Sequence, residues 1–154
     1  MIFNEQISTG FLIHDVARVR RNIVNNALSH IGLTRTQRWA LAYIVRAGSK
    51  GIVQADLARA MNVGKVSLGA TIKHLEQSGF ITRESDPDDL RVKRVSITDL
   101  GLDTTIQMTV IVEKLNQAFW KGVSEEQFKK FTETLEVMMG NLIEMDGPNP
   151  FTER

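Results

Sequence analysis

The chain has 154 residues, of which 42% are apolar, carries a formal net charge of +1 and contains no cysteine. That length suits one domain with additional arms, and the apolar share is sufficient for a core. Without thiols, disulfides, thiolate catalysis and cysteine redox sensing are excluded; no apolar run approaches the roughly 18 residues of a membrane span, and Arg18, Arg20 and Arg21 interrupt the first hydrophobic segment, so a soluble, cytoplasmic protein with no membrane association is expected.

The net charge gains meaning once divided along the chain. Residues 34–101 hold 11 Lys/Arg against 7 Asp/Glu, giving +4; residues 1–33 hold 3 against 2, giving +1; residues 102–154 hold 5 against 9, giving −4. A cationic middle between less basic ends fits a middle that meets a polyanion.

In chain order, Phe11, Leu12, Val16, Val19, Ile23, Ala27 and Ile31 recur at spacings near three and four, which predicts an amphipathic helix over residues 8–31 that Gly32 ends. Thr34-Arg35-Thr36-Gln37 has the form of a capping box for a second helix through Trp39, Leu41 and Ile44 to Ala47. A short third helix, Val53 to Met61, has no side-chain acceptor at its expected cap and should start weakly. A fourth runs from Lys65 to Gln77 and stops at Ser78-Gly79. At 100° per residue its Leu68, Ile72 and Leu75 face inward, while Val66, Ser67, Ala70, Lys73, His74 and Gln77 face a partner.

Next comes a hairpin. Phe80 to Arg83 pairs with a strand in which Val95 and Ile97 alternate with Arg94, Ser96 and Thr98, around a tip of Asp86-Pro87-Asp88-Asp89. Beyond the tip, Arg91, Lys93 and Arg94 place three cations in four residues, a finger suited to the negative potential of a narrow minor groove. Two short helices joined by a few residues and followed by a basic hairpin form the layout of a winged helix-turn-helix. The fourth helix would enter the major groove, with Lys65 and the helix start near phosphates and Ser67, Ala70, Lys73 and His74 facing bases or backbone.

The remainder is helical. Thr98-Asp99 caps a long helix through Ile106, Val110, Leu115 and Phe119, and Ser124-Glu125-Glu126-Gln127 is a second capping box. Phe128, Phe131, Leu135, Met138, Leu142 and Met145 then step by 3, 4, 3, 4, 3, a heptad seam that asks for another helix, although an ordinary core-facing stripe would read the same way. A small winged core has too little surface to cover both ends, so the economical arrangement is a homodimer with interdigitating terminal helices. The fold class expected is mostly α with a small β-hairpin wing. The expected organisation is an N-terminal dimerisation helix in 1–33, a winged helix-turn-helix in 34–98, C-terminal dimerisation helices in 99–146 and a tail in 147–154, closed by Gly147-Pro148-Asn149-Pro150.

His14 and Arg18 are four apart on the first helix, as are Trp39 and Tyr43 on the second; if those faces meet, an aromatic wall and a cation suit a planar carboxylate. The alternatives are a packed tryptophan and a surface ion pair. His14, His30 and His74 have no companions at metal-ligand spacing, and no zinc, phosphate-loop or nucleophile motif is present, so no metal, cofactor or enzymatic activity is expected.

On these residues the chain resembles the multiple-antibiotic-resistance regulator (MarR-type) family, and looks similar to its SlyA-like members. The wing pattern R-x-x-D-x-x-D-x-R-x-x-x-V-x-L-T-x-x-G is met by Arg83, Asp86, Asp89, Arg91, Val95, Thr98 and Gly101, with Ile97 in place of Leu. Gly32-Leu33-Thr34 with Gln37, Asp56-Leu57-Ala58, and Leu75-Glu76 with Gly79 add to it. The resemblance implies a dimeric regulator of transcription on a pseudo-palindromic operator in double-stranded DNA, commonly a repressor released by a small aromatic or phenolic ligand held where the dimerisation helices meet the winged domain. It further implies that Arg91 is the wing arginine, Asp89 its orienting carboxylate and Ser67 a recognition-helix contact. Two departures stand out. Leu90 replaces a frequent second wing arginine, and Gly69 and Ala70 stand where an arginine is frequent in the recognition helix, which predicts weak direct base readout and more reliance on groove shape. That departure keeps a second class open, a winged-helix protein-interaction module or non-specific architectural DNA binder.

Overall fold

The structure is a computed structural model that describes residues 4–86 and 89–146. Its elements run α1 (Glu5–Ala27), a 3-10 turn (Ser29–Ile31), α2 (Arg35–Arg46), β1 (Ile52–Val53), α3 (Gln54–Ala60), α4 (Lys65–Gln77), β2 (Ile81–Ser85), β3 (Lys93–Ile97), α5 (Asp99–Phe119) and α6 (Glu125–Asp146). The fold is mostly helical with a small antiparallel sheet, as the pattern of periods predicts. Pro87 and Asp88 of the expected wing turn, and the Gly147–Pro150 stop with the tail after it, lie outside the described residues.

Helix α2 lies at the centre. Thr34 accepts a hydrogen bond from the Gln37 amide (3.3 Å) while the Thr34 amide donates to the Gln37 side chain (2.7 Å), so both ends of the capping box are closed. Ala40, Leu41 and Ile44 are fully buried against α4, α5 and β3. Leu57 of α3, Leu68, Ile72 and Leu75 of α4, Ile81 of β2, Val95 of β3 and Met108 of α5 complete one contiguous core. Each of these side chains contributes on the order of 1.5–3 kcal/mol by leaving water.

Arg38 is a buried side chain that hydrophobic periodicity does not reveal. Its guanidinium donates to the carbonyl oxygens of Leu28 (3.4 Å) and Leu33 (2.8 Å) and to the Asn25 side chain (2.7 Å), tying the end of α1 to the start of α2. Burial pulls its pKa below the ordinary arginine value, and the neighbouring charge of Arg35 adds to this. Its acceptors are all neutral oxygens, so the cation is solvated by the chain without being cancelled.

The sheet has three strands in the order β1-β3-β2, one more than the hairpin expected from the sequence. β1 pairs Ile52 with Val95 and Val53 with Arg94, and β2 pairs Ile81 with Ile97 through to Ser85 with Lys93. The extra strand explains how α3 begins without a polar cap: Val53, its N-cap, is fixed in extended geometry by pairing with β3. Gly51 enters this strand at φ +64° with its Cα against the carbonyl of Val95, a place where a side chain could not be accommodated.

The terminal helices differ from everything above. α1 contains no buried residue, and its Phe11, Leu12, Val16, Val19 and Ile23 are 40–62% exposed. On α6 the six seam residues from Phe128 to Met145 are 38–83% exposed, and the side chains described on this helix include none that is buried. Within one chain, therefore, the α6 seam is not a core-facing stripe. No helix among the described residues is long and apolar enough to cross a membrane.

Candidate nucleic-acid interface

Helix α4 forms over the residues its pattern predicts, with Gly64 as N-cap at extended geometry and no side chain occupying the cap. The amides of its first turn and the positive end of its dipole are left for an anion. Leu68, Ile72 and Leu75 anchor it in the core, so the opposite face is outward: Val66 is 91% exposed, and Lys65, Ser67, Ala70, Lys73 and His74 are all exposed. Gly69 and Ala70 leave this face low, with Lys65 and Lys73 as its two lysines. Beside it, Gln54, Ala55, Ala58, Lys65 and Leu68 line a hollow of about 170 Å³ between α3 and α4. Gln54 was not singled out by sequence; the missing signal was β1, which sets where α3 starts.

The cations of the wing separate into two groups. Arg91 is exposed, and among the described residues its guanidinium is in no ion pair. Asp89 acts on the backbone: its carboxylate accepts from the Arg91 amide (2.9 Å), and its carbonyl accepts from Val92 (2.9 Å), so it shapes the turn that presents Arg91. Lys93 is exposed and donates to the Ser85 hydroxyl across the hairpin (2.9 Å). Arg94 is turned inward. It forks onto Asp86, with Nε at 2.8 Å and Nη2 at 2.5 Å from one carboxylate oxygen, and donates to the carbonyls of Lys50 and Gly51. Sequence placed Arg94 with Arg91 and Lys93 as a DNA-facing cation, but its guanidinium is engaged in holding the wing to β1.

This division gives a stability prediction. Arg94→Ala leaves the Asp86 carboxylate, 7% exposed at its side chain, without its fork and should cost about 2–3 kcal/mol. Arg91→Ala should stay within about 0.5 kcal/mol of the parent. Urea unfolding of both at one protein concentration checks it, and equal midpoints would show that Arg94 is not structural.

The four residues grouped as a ligand site are not all brought together in one chain. Trp39 and Tyr43 stack with ring centroids 5.9 Å apart and line a cleft of about 230 Å³ with Arg35, Thr36, Met61 and Val63. His14 and Arg18 do not line it. Arg18 is engaged by Asp15 at 2.8 Å, a hydrogen bond that also lowers the pKa of the Asp15 carboxyl. No cluster of three metal-capable side chains occurs among the described residues.

A three-helix bundle, α2 to α4, followed by a β-hairpin that packs its root on β1, defines a winged helix-turn-helix protein. The model of the MarR family matches residues 31–91, which span the bundle and the wing as far as Arg91. The chain is similar over most of its length to solved structures of that family. Against the transcriptional regulator SlyA the identity is 28%, covering 86% of this chain and 92% of that one, with a TM-score of 0.73. Against a mutant MarR from E. coli complexed with operator DNA it is 26%, covering 90% and 98%, with a TM-score of 0.74. CouR from Rhodococcus jostii RHA1, bound to p-coumaroyl-CoA, shares the fold at 23% identity, 84% and 90% coverage and a TM-score of 0.73. The chain thus carries a MarR-type winged helix-turn-helix over residues 31–91 and has the fold of solved MarR-family transcriptional regulators.

Proposed function

We propose that the protein is a homodimeric DNA-binding transcription regulator, a repressor of genes beside a pseudo-palindromic operator, released when a small aromatic ligand binds. The observation that carries the reading is the outward face of α4, which is exposed among the described residues and stands in the same domain as the exposed Arg91. Two copies joined through the open faces of α1 and α6 would present two such helices to successive major-groove turns, with Lys65, Ser67, Ala70, Lys73 and His74 in the groove. Arg91 and Lys93 reach the flanking minor grooves, and Asp89 sets the tip. Residues 1–33 and 99–146 supply the clasp. E. coli MarR, 26% identical, was solved on operator DNA, which supports the same docking here. Ligand binding at Trp39 and Tyr43, with His14 and Arg18 brought from a second copy, would change the spacing of the two α4 helices and so lower affinity.

With a low α4 face, much of the discrimination falls to groove shape at the wings. Fragments selected from the organism's genome with purified protein should bind about a thousandfold or more tighter than bulk DNA. Arg91→Glu should weaken that binding at least about tenfold and flatten its salt dependence. A protein with no preferred fragment, or one indifferent to Arg91→Glu, would instead be an architectural binder or a protein-interaction module.

A further inference from the structure

We propose that the outward face of α4 reads the 5-methyl groups of pyrimidines in the major groove, those of thymine, and that Val66 is the residue that makes the distinction, with Ala70 one turn further along. The proposal rests on the DNA-binding reading above and deepens it by naming what the recognition helix discriminates.

Val66 is 91% exposed, more than any other large apolar side chain among the described residues. The open apolar residues of α1 and α6 fall in periodic rows that two copies can cover together, whereas Val66 is the second residue of α4 and belongs to no such row. Helix propensity does not account for it either, since valine forms helix less well than the alanine, lysine or glutamine that a solvated position accepts. At 100° per residue, Val66, Gly69, Ala70 and Lys73 share one arc about 100° wide. Before Lys73, that arc carries no side chain able to donate or accept a hydrogen bond. The neighbouring Thr71 hydroxyl is turned back on its own helix, donating to the Ser67 carbonyl at 3.1 Å. A Cβ on Gly69 would meet nothing within 4 Å, so the space over it is open and a base can approach Val66 and Ala70 together.

An apolar arc cannot read the donors and acceptors of base edges. What it can recognise in the major groove is the methyl on C5 of thymine, which cytosine lacks. Valine suits this task, because its two methyl groups sit on a χ1 that is largely fixed in a helix and little side-chain freedom is lost on contact. The N-terminal residues of a recognition helix are the ones that meet base edges, and Val66 stands there. Lys65 beside it and Lys73 two turns on can hold phosphates without regard to sequence. Val66 and Ala70 are separated by about 6 Å along the helix axis, roughly two base-pair steps, so both can meet methyls of one short pyrimidine run.

The test uses synthetic duplexes of the tightest genomic fragment, each with a single thymine replaced by uracil, which removes the 5-methyl and keeps every hydrogen-bonding group. At one or two thymines the replacement should weaken binding of the full-length parent about three- to tenfold. Val66→Ser should bind the thymine and uracil duplexes equally at those positions, at the strength the parent shows for uracil. Val66→Thr, which keeps one methyl, should retain the preference, and circular dichroism verifies that both variants fold. When the sensitive pair is exchanged for cytosine·guanine, methylation of that cytosine at C5 should recover about the same three- to tenfold, since the arc reads the methyl and not the edge. The synthetic parent duplex carries no methylated cytosine and should bind as tightly as the genomic fragment; a loss would move the methyl from thymine to a modified cytosine and overturn the assignment. Uracil tolerated at every position, a uracil penalty that persists in Val66→Ser, or loss of both duplexes by that variant would overturn the proposal while leaving the regulator standing. Absence of any preferred fragment would remove the regulator and this proposal with it.

Discussion

Gly101→Ala is expected to destabilise the protein by about 3 kcal/mol even though it places alanine in a helix. Helix propensity alone argues the other way, favouring Ala over Gly by at most about 1 kcal/mol. Sterics decide. Gly101 is buried in the first turn of α5, where a Cβ would overlap the carbonyl oxygen of Phe80 and stand 2.6 Å from Cδ1 of Ile97. That carbonyl is backbone and already accepts from the Thr98 amide at 3.1 Å, so it cannot swing aside as a side chain could. Thr98 adds a second tie, its hydroxyl donating to the Gly79 carbonyl (2.7 Å) and accepting from the Gly101 amide (3.1 Å). Thr98 and Gly101, three residues apart, thus form the clasp by which α5 leaves the sheet. Gly69→Ala in α4, where a Cβ meets nothing within 4 Å, is the internal control and should stabilise by up to about 1 kcal/mol. In thermal unfolding at one protein concentration the two variants should move Tm in opposite directions, Gly101→Ala downward by about 6–12 °C. A rise in both would mean that α5 can move away from β2 at little cost.

The second large effect concerns the α6 seam. Leu135→Glu changes helix propensity very little and, on a solvated face, should change stability by no more than about 0.5 kcal/mol. Leu135 lies mid-way along a row of six apolar side chains that are 38–83% exposed, though, and only at the row's start do Phe128 and Phe131 meet the Trp120–Phe119 pair that sets the angle at which α6 leaves α5. If this row is buried between two copies, the carboxylate introduced on each is a charge without a counter-ion in a dry seam, at a cost of several kcal/mol per dimer. The dimer Kd should then rise by about a thousandfold or more. Affinity for a two-half-site operator should collapse with it, because the second winged domain no longer binds at the high effective concentration the clasp supplies. Sedimentation and DNA titration of the variant, with circular dichroism to show that the helices persist, check both.

How far these features could be read in advance depended on whether they leave a repeating mark. The capping boxes at Thr34 and Ser124 were legible because both partners are three residues apart, and both close, the second with the Ser124 amide 2.9 Å from the Gln127 side chain. The inward residues of α4 were legible from their arc. β1 was not, since two residues have no period. Its absence hid three things: the sheet-held start of α3, the position of Gln54, and the inward role of Arg94, whose acceptors at Lys50 and Gly51 are more than 40 residues away. Arg38 was hidden because a buried arginine satisfied by carbonyls follows no pattern of side chains. α1 begins at Glu5, earlier than its apolar stripe, because Asn4 caps it by accepting from the Ile7 amide at 2.9 Å. The Trp39 and Tyr43 pair follows from i, i+4 spacing, whereas the cation that lines the cleft beside it, Arg35, depends on how α2 meets the turn before α4.

The most direct measurement is the sedimentation mass of the purified full-length chain at micromolar concentration. The open faces of α1 and α6 predict the mass of two 17.3 kDa chains, undiminished on dilution through the micromolar range. A species sedimenting as a single 17.3 kDa chain would contradict the account at its base.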